Sequence, residues 1–135
     1  MLIAPPIRGN DNFGSGAFGA SRGGRSHNGV DVACYAGSSI LALKPGKVTK
    51  LGYPYNPNNE KKGHLRYVQV THEGKNYRYF YVSPSVRVGD EVRVGDVLGK
   101  AQGLLKIYPG ITDHIHFEIK LADGSFEDPT ALVTG

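Results

Sequence analysis

The chain has no tryptophan, one methionine (Met1) and one cysteine (Cys34) among 135 residues. A lone cysteine cannot close an internal disulfide, which excludes a disulfide-stapled secreted scaffold. Long apolar runs are missing too: none, Ile40 to Leu43 included, approaches the ~20 residues needed to cross a bilayer. The opening MLIAPPIRGN has neither the basic nor the apolar stretch of a secretory signal. The expectation is cytoplasmic synthesis, with any export by a non-Sec route. Charge runs are equally scarce. Lys and Arg number 16 against 12 Asp and Glu, a net charge of +4, yet no basic run is longer than Lys61-Lys62. Charge spread this thinly argues against a nucleic-acid partner.

What is abundant is glycine (19) and proline (8), together about a fifth of the chain. With 39% hydrophobic and 21% charged residues, this length supports one packed domain over residues 1–135, built from short elements joined by tight turns. Residues 8–29 are rich in Gly, Ser, Asn and Arg and read as irregular structure, so the ordered core is expected to begin after about residue 26. Ser39–Leu43, Lys47–Tyr53, Tyr67–Thr71, Tyr77–Val82 and His114–Leu121 are β-branched or aromatic segments bounded by Gly, Pro or Asn. They read as strands. Glu73 to Asn76 reads as a hairpin turn, and no segment shows a 3.6-residue period. The expected fold class is therefore all-β, a compact antiparallel sheet of sandwich or barrel type with long surface loops forming a groove. Val86-Arg87-Val88-Gly89-Asp90 recurs as Val92-Arg93-Val94-Gly95-Asp96, read as a short strand and turn written twice.

His114 to Leu121 alternates without exception. A side-chain period of two puts His114, His116, Glu118 and Lys120 on one face and Ile115, Phe117, Ile119 and Leu121 on the core face. Imidazoles ~7 Å apart are too far apart for both to clasp one ion, but suit one ligand beside one acid or base. A second cluster, His27-Asn28-Gly29-Val30-Asp31, would hold its end residues ~13 Å apart on a straight strand. Zinc with ligand bonds of ~2 Å needs donors little more than 3 Å apart. The chain must therefore bend, and Asn28-Gly29 supplies the bend. Together His27, Asp31 and His116 form a His-Asp-His set with a fourth position open, as in catalytic zinc, with His114 free to act as base.

The order FGSGAFG, HNGVDVAC, HEGKNYRYFY, VRVGDEVRVGDVLG, DHIHFE and DPT resembles the lysostaphin/LytM-type zinc endopeptidases from about Phe13 to Thr130. GVDVACYAGS and Tyr108 to Ile111 are most similar to that family's leukocyte cell-derived chemotaxin branch, whose members are secreted signalling proteins that retain the zinc site. The resemblance implies one zinc ion held by His27, Asp31 and His116, hydrolysis of peptidoglycan cross-link or stem peptides, and His114 as the group that takes the proton of the attacking water. It also implies a departure. Tyr81 stands where active members carry a second catalytic histidine, as in the chemotaxin branch. A phenol can donate a hydrogen bond to an oxyanion but does not exchange protons readily near neutral pH. The alternative is an inactive zinc-binding recognition or signalling module.

Several further readings come from the residues. Tyr77, Tyr79 and Tyr81 are expected on one strand face, where with Arg78 they would offer a stacking surface for single-stranded nucleic acid. His72 reads as a strand-end residue supporting the site, His64 as a solvated loop residue, and Glu118 as a group able to orient a ligand from behind. Cys34 reads as a small buried side chain; the resemblance pairs its counterpart in a disulfide, for which no partner exists here. A lipoyl or biotinyl carrier reading of the Val-Gly-Asp repeat fails, because the biotinyl lysine sits between methionines and Met1 is the only one.

Overall fold

A computed structural model describes residues 29–104, 113–130 and 132. Its strands are β1 (Val30–Ala33), β2 (Ser39–Leu41), β3 (Gly46–Gly52), β4 (Tyr67–His72), β5 (Lys75–Phe80), β6 (Val82–Pro84), β7 (Glu91–Val92), β8 (Val97–Ala101), β9 (His114–Lys120) and β10 (Phe126–Glu127). All of their pairings are antiparallel. The larger sheet runs β1-β9-β5-β4-β3-β7, with β10 also on β9, and the smaller runs β2-β8-β6. The all-β expectation is met, and each of the five β-branched or aromatic segments read as strands contains one.

The core lies where alternation predicts it. Ile115, Phe117 and Ile119 of β9 are buried with Val30 and Val32 of β1, Val68 and Val70 of β4, and Tyr77 and Tyr79 of β5. Ile40, Leu98 and Val82 from the smaller sheet join the same cluster. One hydrogen bond fastens the large sheet to the chain leaving β2: the buried Leu43 amide donates to Tyr79 Oη at 2.9 Å.

Three local expectations change. The β4–β5 hairpin turns on two residues, since His72 pairs Lys75, and Glu73 (φ 50°) and Gly74 (φ 78°) adopt the left-handed conformation that two-residue hairpins require. Lys75 and Asn76 are strand residues. The Val-Gly-Asp repeat is two tight turns, not two strand-and-turn units, because the first copy lies outside any strand. In each copy the aspartate carboxylate accepts the amide three residues back, Arg87 to Asp90 and Arg93 to Asp96, both at 2.8 Å.

The third change is at Tyr81. Tyr77 and Tyr79 share the core face, but Tyr81 has φ 70°, which breaks the pleat between β5 and β6. Its ring meets Phe80 and His114 instead. The three tyrosines therefore do not share a face, and burial of Tyr77 and Tyr79 removes the stacking surface for nucleic acid.

Tyr79→Phe would leave the buried Leu43 amide without its acceptor. The expected loss is about 1–3 kcal/mol, read as a lower urea midpoint with an unchanged m-value.

Candidate metal centre

The strand register builds the site. Asp31 of β1 is opposite His116 of β9, His116 opposite Phe80 of β5, Phe80 opposite Tyr67 of β4, and Tyr67 opposite Gly52 of β3. One row across the sheet thus runs from a carboxylate and an imidazole into an aromatic strip. Phe80 stacks on Tyr67 with ring centroids 4.7 Å apart and meets the His116 ring edge-on at 5.2 Å.

At the acidic end, Asp31 Oδ1 lies 3.0 Å from His116 Nδ1, and Asp31 Oδ2 lies 3.5 Å from His114 Nε2. The Asp31 and His114 side chains are only 5% and 4% exposed. On the far side of the His116 ring, Nε2 is 2.9 Å from Glu118 Oε1. Burial lowers the basicity of His116, but its hydrogen bonds to Asp31 and Glu118 outweigh that and raise its pKa to about 9 in the metal-free chain. Burial acts to raise the Glu118 pKa, and its bonds to His116 and Arg78 bring it below the usual value.

A tetrahedral ion with ~2 Å bonds puts its donors about 3.3 Å apart. The 3.0 Å Asp31–His116 spacing fits one edge of that tetrahedron, and a water-shielded carboxylate facing two imidazoles is donor chemistry suited to zinc. Among the described residues no group of three His, Cys, Asp or Glu is arranged to hold a metal; the pair Asp31 and His116 would need a further donor to hold one. His27 lies outside the described residues. The backbone that leads to it is tightly placed, however: a Cβ on Gly29 would fall 2.2 Å from the Phe117 carbonyl oxygen and 3.0 Å from His116 Cε1. Only glycine lets the chain pass this close to the imidazole.

Tyr81 is brought to the same place. Its ring meets the His114 ring edge-on, centroids 5.9 Å apart, and packs on Leu65 and Leu104. The Tyr81 and Val82 amides both reach the Arg66 carbonyl, at 2.7 and 3.2 Å, and hold the kink. Thus Asp31, His114, His116 and Tyr81 converge. His72 does not: it ends β4 five residues from Tyr67, ~17 Å along the strand, against Glu73 and Tyr77. The support expected of it is absent. His64 is exposed, and its carbonyl accepts from Gln102 Nε2 at 2.8 Å. Cys34 is buried, and burial pushes its thiol pKa up to about 11, as suits a packing residue. Glu118, read as able to orient a ligand from behind, is buried behind His116. The signal for that was its place in the alternating strand, two residues past the histidine.

The arrangement of the two antiparallel sheets is that of the lysostaphin-type peptidase fold. The catalytic domain of the antimicrobial peptidase lysostaphin from Staphylococcus simulans matches with a TM-score of 0.64 at 22% identity, covering 93% of this chain and 92% of that domain. Residues 25–129 match Peptidase family M23, and the chain belongs to that family. Among characterised relatives, leukocyte cell-derived chemotaxin-2 of Mus musculus is 37% identical over 94% of this chain and 79% of its own length. Myeloid protein 1 of Gallus gallus is 34% identical over 83% of this chain, which spans 34% of that protein.

Gly29→Ala would drive a methyl into the Phe117 carbonyl and against the His116 ring. It is expected to cost about 1–3 kcal/mol, seen as a lower denaturation midpoint, with disturbed amide signals at Val30 and Phe117.

Proposed function

We propose that this protein is a zinc-dependent endopeptidase acting on peptidoglycan cross-link or stem peptides, slowed by Tyr81. The observation that carries the reading is the Asp31 carboxylate facing His116 Nδ1 at 3.0 Å and His114 Nε2 at 3.5 Å. His27, Asp31 and His116 would hold the ion. Zinc supplies, when bound, a Lewis acid that polarises a carbonyl and acidifies a water. His114 Nε2 takes a proton from the attacking water and returns it to the leaving amine. Buried beside Asp31, His114 is kept in one orientation and stabilised when protonated. The Tyr81 phenol, against His114, donates toward the developing oxyanion. Peptide substrate would lie along the row past Phe80 and Tyr67. Delivery to the wall by a phage particle or lysis is part of the proposal.

The 37% identity to chemotaxin-2, together with tyrosine at position 81, favours a second reading: a module that keeps the metal for recognition or signalling and does not turn over.

Zinc-loaded protein incubated with purified cell walls and Gly-rich peptides should release new amines, and chelation should stop the release. His114→Ala should lower that rate by about 10²–10⁴-fold with metal content retained, whereas Asp31→Ala should lose the metal. If the wild type releases nothing while Tyr81→His cuts, the recognition reading replaces the enzymatic one. Because a zinc ligand must be unprotonated, binding has to displace the proton that His116 holds up to about pH 9. Zinc affinity, measured by chelator competition, should therefore rise by up to about tenfold per pH unit toward pH 9 and flatten above it.

A further inference from the structure

We propose that Arg78 is a positioning residue that, acting through Glu118, fixes the His116 ring with Nδ1 turned to Asp31. Arg78, Gln69 and Glu118 are register partners on three adjacent strands, one row along from the Asp31–His116–Phe80 row. Arg78 Nη1 donates to Glu118 Oε2 at 3.1 Å, and the other carboxylate oxygen, Oε1, takes His116 Nε2 at 2.9 Å. The carboxylate is thus held from both sides, with its side chain 7% exposed. A carboxylate only accepts, so the His116 nitrogen facing it must carry the hydrogen. Nδ1 is left facing Asp31 Oδ1 at 3.0 Å on the other side of the ring, the edge an ion would occupy.

Arg78 is itself held. Its Nε donates to Gln69 Oε1 at 2.9 Å, and its guanidinium lies over the Tyr67 ring at 5.2 Å. Gln69 Nε2 donates to Thr49 Oγ1 at 3.0 Å, Thr49 and Thr71 share a hydrogen bond at 2.8 Å, and Thr71 donates to Asn76 Oδ1 at 2.8 Å. This line of side chains uses two donors of the Arg78 fork in fixed directions. A lysine presents one point charge and cannot reproduce both.

The metal arm of the test rests on the zinc reading; the ring-orientation arm does not. Zinc affinity of the full chain is measured by chelator competition for wild type, R78Q, E118Q, R78K and the R78Q/E118Q double variant. R78Q and E118Q should each weaken zinc by about 10–100-fold, and R78K should recover only part. If Arg78 acts through Glu118, the double variant should be no weaker than the poorer single one. Additive losses, or unchanged affinity in folded R78Q, overturn the proposal. In the chain without added metal, NOEs from the His116 ring to Gly29 and Phe80, expected in wild type from the ring's position against both, should weaken or move in R78Q and E118Q. An unchanged spectrum in both variants overturns the proposal even if wild type binds no zinc, a result that by itself would defeat only the zinc reading.

Discussion

Everything at the site depends on the antiparallel pairing of β1 with β9 in a single register. Asp31 meets His116 because Val30 meets Phe117 and Val32 meets Ile115. A slip by one residue would exchange the two faces of β9, exposing Ile115, Phe117 and Ile119 and burying polar groups in their place. Fully burying each such apolar side chain is worth roughly 1.5–3 kcal/mol, more than a polar contact contributes net, about 0.5–1.5 kcal/mol. The core therefore sets the register, and the register sets the donor geometry. The cluster of Asp31, His114 and His116 need not be stable on its own account; the apolar face of the same strand holds it in place.

The second constraint is the crossing from one sheet to the other. β5 belongs to the large sheet and β6 to the small one, and Tyr81 between them takes a left-handed conformation. A non-glycine residue there costs of order 1–3 kcal/mol. Amide bonds from Tyr81 and Val82 to Arg66, and from Gln102 to the Tyr81 carbonyl, offset it. Had the pleat continued, position 81 would have followed Tyr77 and Tyr79 into the core. The kink instead delivers a polar aromatic to His114, so a strained backbone coincides with the position given a role in the proposed mechanism.

Legibility in the sequence follows the range of the interactions. The strict alternation of His114 to Leu121 and the GVDV start of β1 disclose strands, core face and candidate ligands, because the period-two rule is local. Tyr81 defeats that rule since no glycine marks the kink. The hairpin at Glu73-Gly74 is shorter than expected because a non-glycine residue takes the left-handed position. Glu118 could be suspected from its spacing to His116, but its partner Arg78 is 40 residues away, and only the strand order β1-β9-β5-β4 makes them neighbours. His72 looked like a companion of the site because it is polar and ends a strand; the strand carries it to the opposite end. His27, the remaining expected ligand, lies outside the described residues, so its convergence on Asp31 stays an expectation of the sequence.

The exchange of an imidazole for a phenol at position 81 bears on chemistry more than on binding. Neither Asp31 nor His116 depends on Tyr81 for its place, so a metal site can persist whether or not turnover does. In the proposed mechanism, a proton-exchanging group contributes typically 10²–10⁴-fold and an oxyanion donor about 10²–10³-fold. A tyrosine retains the second contribution and forfeits most of the first. With His114 still available as base, the proposed hydrolysis would be slow and not absent. What separates the two outcomes is one ring placed by one kink, on a sheet whose core is indifferent to which ring it is.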